Sequence, residues 1–144
     1  MTKLSSVRVR MQSENLDAII ITNLKNIYYL SAFWGTAGTI LVTQKAQYLL
    51  TDSRYSIAAR EAAVDFEIVE TREAFVEIAK LLKKEGVSQV GFEDGVTYAE
   101  FQTMQHQLAG LTLHATTSFI ETQRQIKSPS EIATIKKACA ISDQ

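Results

Sequence analysis

Two periods of apolar residues alternate along this chain. Leu4, Val7 and Met11 recur at spacings of three and four, which predicts a helix with Arg8, Arg10 and Gln12 facing away from its apolar stripe. Residues 17–22, Asp-Ala-Ile-Ile-Ile-Thr, form a β-branched run without alternation, as in a strand buried on both faces. Residues 23–33 mix polar and aromatic side chains and read as a short helix or an irregular loop. Gly35 and Gly38 frame a turn, and two apolar runs come next at 39–42 and 47–50. Four residues separate them, which is short enough for an antiparallel hairpin. A helical pattern covers 53–64 and a strand 66–69. The next helix spans 73–85, with Phe75, Ile78, Ala79 and Leu82 on one face and Gly86 as its stop. A strand at 89–92, a helix at 97–108 closed near Gly110, and an alternating edge strand at 111–114 complete the series. Helices interleaved with short strands predict an α/β fold: a three-layer α/β/α sandwich on a mixed sheet that contains one antiparallel hairpin.

The final segment carries its own start signal. Ser128 is placed to cap a helix, Pro129 suits the first helical position, and Glu131 sits where a capping box needs it. Ile132, Ile135 and Cys139 then share one face, and no Gly or Asn stop occurs before Asp143-Gln144. The expectation is one domain over 1–127, with 128–144 as the start of a linker helix into a C-terminal domain absent from the chain. The single proline marks that boundary.

Composition narrows the function classes. With 144 residues the chain can bury a substantial core, and a hydrophobic fraction of 46% with 22% charged residues is that of an ordinary globular domain. The net charge is −1 with the two signs interspersed, so nothing calls for nucleic acid or an anionic membrane as partner. No apolar run approaches the roughly 20 residues that span a bilayer, and no secretory leader is recognisable. One cysteine excludes an internal disulfide framework and fits a cytoplasmic location.

Catalytic constellations are scarce. His106 and His114 lie on either side of Gly110 without a third ligand in sight, a poor basis for a metal site. Glu93 and Asp94 are neighbours on an extended segment and point to opposite faces, so they read as a loop carboxylate or helix cap rather than an acid–base pair. Residues 35–38, Gly-Thr-Ala-Gly, lack both the dinucleotide fingerprint and a P-loop lysine. Cys139 reads as a core residue of the last helix. Two segments stand out. The first packs Tyr28, Tyr29, Phe33 and Trp34 just before a glycine turn. The second, Thr51-Asp52-Ser53-Arg54-Tyr55, lies between a strand and a helix, with Asp52 expected to cap that helix and to hold Arg54, and with Arg54 and Tyr55 in its first turn. An arginine there is suited to holding a carboxylate.

These segments, with three others, resemble the N-terminal domain of the creatinase/prolidase family, which includes Xaa-Pro dipeptidases (prolidases) and Xaa-Pro aminopeptidases (aminopeptidase P). Residues 16–21 resemble the family's first strand, and 26–35, Asn-Ile-Tyr-Tyr-Leu-Ser-Ala-Phe-Trp-Gly, its N-x-x-Y-L-[ST]-G-F-x-G segment. Residues 51–55 match T-D-x-R-Y, Gly91-Phe92-Glu93 matches G-F-E, and 124–132 resemble the linker R-x-I-K-s-x-x-E-I. One position departs: Ala32 stands where a glycine is usual, which strains the backbone if φ is positive there.

The resemblance implies a ribonuclease-H-like α/β/α domain. It also implies a full-length hydrolase, a metallopeptidase cleaving the bond before proline in short Xaa-Pro peptides. Two divalent metals (Mn, Co or Zn) are expected on the absent catalytic domain, with no catalytic or metal residue in this chain. The expected partners are that catalytic domain and a second copy in a homodimer. Asp52, Arg54, Tyr55, Phe33 and Trp34 are the candidates for facing substrate. The alternatives are the same domain of a creatinase-like or inactive homologue, or a stand-alone α/β binding domain.

Overall fold

The computed structural model describes residues 2–142; Asp143 and Gln144, at the end of the predicted last helix, lie outside them. The elements in order are α1 (Lys3–Ser13), β1 (Ala18–Ile21), α2 (Leu24–Ser31), β2 (Thr39–Thr43), β3 (Gln47–Thr51), α3 (Ser56–Ala62), β4 (Glu67–Glu70), α4 (Ala74–Glu85), β5 (Gln89–Glu93), α5 (Tyr98–Gln107), β6 (Thr112–Thr116), α6 (Phe119–Arg124) and α7 (Pro129–Ser142). Six strands form one mixed sheet in the order β4-β3-β2-β1-β5-β6. The β2–β3 hairpin is present as predicted, and β1 also meets β2 antiparallel, through the intervening α2. The pairs β3–β4, β1–β5 and β5–β6 are parallel.

The strand period of two divides the sheet into two cores. Ile19 and Ile21 face one side and pack with Val7 and Met11 of α1, Ile27 and Leu30 of α2, Ala59 of α3, and Phe119 and Ile120 of α6. Ala18 and Ile20 face the other side, against Ile78 and Leu82 of α4 and Met104 and Leu108 of α5. All four β1 residues are fully buried, which is why the run lacks alternation. Each buried isoleucine contributes about 2–3 kcal/mol by area removed from water. The result is the expected α/β/α sandwich, with β6 at a sheet edge.

The local signals account for most boundaries. Asn23 caps α2, its side chain accepting the amides of Lys25 and Asn26. Gly86 ends α4 at φ 69°, and Thr97 with Glu100 closes a capping box on α5. Ser128 and Glu131 make the predicted reciprocal bonds at the start of α7, at 3.2 and 3.3 Å. Ala32 ends α2 in the left-handed region at φ 63°, where a Cβ is unfavourable. Replacing Ala32 with Gly is therefore expected to raise the unfolding free energy by about 0.5–1 kcal/mol. Thermal unfolding of the two chains checks this, and an unchanged or lower melting point counts against it.

Three expectations need correction. The helix placed at 53–64 starts only at Ser56, with Tyr55 as its cap residue and no side-chain cap bond. The short helix α6 has no counterpart among the predicted elements: six residues are too few to show a helical period. Cys139 is exposed rather than in a core, and α7 buries none of its residues; Ile132 and Ile135 are 42% and 47% exposed.

Candidate functional site

β3 ends at Thr51, whose hydroxyl donates to the Ala37 carbonyl at 2.7 Å and ties the strand end to the glycine loop. A tight turn comes next, with the Tyr55 amide donating to the Asp52 carbonyl at 3.1 Å. Asp52 does not cap α3. Its carboxylate turns back on its own neighbour: Oδ1 accepts the Arg54 amide at 2.9 Å and Nε at 3.1 Å, and Oδ2 accepts Nη2 at 2.7 Å. A short aspartate beside a turn commonly bonds the backbone two residues on. Here the guanidinium fork is captured as well.

The bonds from Arg54 hold the Asp52 carboxyl below its usual range, and the same contacts push the Arg54 guanidinium up. The Arg54 side chain is nevertheless 66% exposed, against 15% for Asp52. An oriented guanidinium thus stands in solvent with donors to spare. It borders a surface cleft of ≈ 560 Å³, open between the ends of β3 and β4, with Thr39, Thr51, Thr71 and Arg72 also on its walls.

Tyr55 supports this corner from below. Its ring meets Phe33 edge-on at 6.0 Å between centroids, lies under the Arg54 guanidinium at 5.2 Å, and its hydroxyl is 2.6 Å from Thr36 Oγ1. Phe33 does not face a ligand, contrary to its inclusion among the substrate-facing candidates. It is 2% exposed and fills the core behind the loop. A Cβ on Gly35 would come within 2.6 Å of the Phe33 ring, so the glycine leaves room for it.

Trp34 is 69% exposed, edge-on to Tyr28 at 5.4 Å. It borders a different groove, of ≈ 590 Å³, between α2 and α7. The structure therefore brings Asp52, Arg54, Tyr55 and Phe33 together, and sets Trp34 on the same loop but beside a neighbouring groove.

A second constellation is scattered over separate motifs in the sequence. Glu93 closes β5 and is 7% exposed. Its Oε1 accepts the amides of Thr22 and Asn23 at 2.7 and 2.8 Å, and its Oε2 accepts Asn26 Nδ2 at 2.6 Å. It thus serves the α2 N-terminus from across the sheet, where amides lack helical partners. Asp94 turns elsewhere and accepts the Thr117 hydroxyl, so the two carboxylates do not act as a pair. Asn26, Glu93 and Arg124 come from three of the five motifs, and that shared membership is the one signal of the cluster that the sequence offers.

Neither histidine joins a site. His114 Nε2 lies 2.6 Å from Gln89 Oε1 on the exposed edge strand, and His106 sits in the last turn of α5. Among the described residues, no three His, Cys, Asp or Glu side chains are grouped to hold a metal ion. No helix among them is long and apolar enough to cross a membrane.

The two-core sandwich and its Thr-Asp-x-Arg-Tyr corner define the front domain of a creatinase- or prolidase-type protein, and this chain belongs to the Creatinase/Prolidase N-terminal domain family, which matches residues 3–126. It is similar to the Xaa-Pro dipeptidase of Pyrococcus horikoshii, at 27% identity over 136 residues, covering 93% of this chain and 37% of the relative. Among solved structures, an Xaa-Pro aminopeptidase of Streptococcus pyogenes matches at 39% identity and TM-score 0.81, over 83% of this chain and 93% of that one. An Xaa-Pro dipeptidase of Bacillus anthracis matches at 32% identity and TM-score 0.88, over 94% of this chain and 38% of that one. The chain spans about two fifths of the length of the curated relatives it matches.

Proposed function

We propose that this chain is the non-catalytic front domain of a cytoplasmic Xaa-Pro metallopeptidase, a dipeptidase or aminopeptidase hydrolysing the bond before proline. In this reading residues 1–127 form the domain and residues 128–144 begin the connection to a catalytic domain. That second domain holds the two divalent metals, which supply the hydrolytic chemistry. The front domain packs against it, contributes to a homodimer, and narrows access to the cleft so that only short peptides enter. Relatives that carry these activities and extend well beyond the matched region support the reading.

The observation that carries the site assignment is the Asp52–Arg54 pair. Its guanidinium is fixed in direction by a partly exposed carboxylate while remaining largely in solvent. Orientation without burial is of little use to stability, because solvent and salt screen an exposed pair. It is useful for recognition, since a pre-aimed guanidinium loses less freedom when it grips a carboxylate. Arg54, at the rim of the cleft beside Arg72, is then the group that holds the terminal carboxylate of a short peptide, with Asp52 and Tyr55 positioning it and Trp34 bordering the separate groove between α2 and α7.

In the full-length enzyme, Arg54→Ala is expected to lower kcat/KM for Xaa-Pro dipeptides by about 2 kcal/mol or more, roughly thirty-fold, with the melting temperature nearly unchanged. Amidated peptides, which lack the carboxylate, should lose much less. Equal kinetics in mutant and parent would leave Arg54 a local structural residue.

A further inference from the structure

Helix α7 buries none of its residues, so its direction relative to the sandwich is not set by packing of its own. Among the described residues its one ion pair to the rest of the domain, Lys3 Nζ to Glu131 Oε1 at 3.1 Å, is largely open to solvent and weak for that reason. The direction must then come from the segment just before it. That segment is α6 and residues 125–128. The first turn of α6 is anchored by burial of Phe119 and Ile120 and by Arg10, which donates to the Phe119 carbonyl at 2.7 Å. Its last turn has no buried apolar residue and ends on polar contacts.

Those contacts meet at Asn26, which is fully buried. Its Nδ2 donates to Glu93 Oε2 at 2.6 Å and to Glu121 Oε1 at 3.2 Å, and its Oδ1 accepts Arg124 Nη1 at 3.0 Å. Both amide hydrogens and the oxygen are used, which also fixes the orientation of the amide. Only an amide suits the position. An aspartate would set three carboxylates together, and an apolar side chain would leave Glu93 without one of its donors.

We propose that Asn26 is the hub of a polar latch that joins the end of β5 to the last turn of α6 and thereby sets the direction in which the chain leaves the sandwich toward α7. Glu93 holds the hub from the sheet side, and Arg124 and Glu121 are the exit-side arms. Asn26 and Arg124 are positioning residues. They touch no substrate, and they act through the orientation of the chain beyond residue 124. The latch is independent of the activity assigned to the longer protein.

Arg124→Met is the discriminating variant, because it removes one exit-side arm and leaves Glu93 its donors. Spin labels on the native Cys139 and on an exposed cysteine introduced as Glu61→Cys report the direction of α7. The expected result is one narrow distance in the parent and a broad distribution in Arg124→Met. Exchange of the Gln125 and Ile126 amides, which bond back to Glu121 and Gln123, should quicken about tenfold while the β1 and β5 amides keep their protection. The melting temperature should fall by no more than a few degrees, because only Asn26 Oδ1 loses its donor. Asn26→Ala should broaden the distance in the same way, with an added loss of melting temperature. A narrow, unshifted distance in Arg124→Met would overturn the proposal. So would a parent distance that is already broad, or broadening by Lys3→Met in place of Arg124→Met.

Discussion

Glu93→Ala is expected to lower the unfolding free energy by about 3–5 kcal/mol, a large share of the roughly 5–15 kcal/mol available to a domain of this size. The carboxylate accepts two backbone amides and a buried side-chain amide, all within 2.8 Å. Removing it leaves three donors without that partner at a place that is only 7% exposed, and each unmet buried donor costs about 1–3 kcal/mol. Some of this is recovered as water enters, hence a total below the simple sum. Glu93→Gln keeps one acceptor oxygen and turns an amide toward Asn26 Nδ2, so it should fall between the parent and the alanine variant. Urea unfolding measured by circular dichroism checks the series. A loss under about 1 kcal/mol in Glu93→Ala would show that the α2 N-terminus is held by Asn23 alone.

The adjacent aromatics Phe33 and Trp34 are expected to respond in opposite ways. Phe33→Ala should cost about 3–5 kcal/mol, because the ring is 2% exposed and its removal opens a cavity in the core that contains Ile27 and Leu49. The edge-on contact with Tyr55 is lost with it, so the support beneath Arg54 should also loosen. Trp34→Ala should change stability by no more than about 0.5 kcal/mol, since the indole is 69% exposed. Thermal unfolding of the two variants side by side makes the comparison. Similar melting points for both would mean that Phe33 is not the packing residue its burial indicates.

The Phe33–Trp34 contrast shows where sequence reading reaches its limit. Neighbouring aromatics before a glycine turn have the same local signal, and nothing in their order says which ring goes inward. That choice depends on β3 and the turn after it, which place Tyr55 beside Phe33 and leave Trp34 on the rim. For the same reason the sequence allowed Asp52 both to cap the helix and to hold Arg54, and only the second is realised. Capping and side-chain capture are both open to an aspartate before a helix, and the later start of α3 at Ser56 decided between them.

The amino-acid order by itself determined the α/β alternation, the hairpin, the hidden first strand, the glycine stop of α4 and the capping box at Ser128. Those depend on side-chain period and on bonds between residues a few positions apart, which the order alone specifies. The five motifs likewise placed the chain in its family, and the positive φ at Ala32 agrees with the glycine expected there. Tertiary structure decided the two cores, the short helix α6, the exposure of Cys139 and the meeting of Asn26, Glu93 and Arg124. Asn26 and Glu93 are 67 positions apart, and Asn26 and Arg124 are 98 apart. No local period or spacing links residues so distant. They become neighbours only because β5 lies parallel beside β1, which carries the end of β5 to the start of α2.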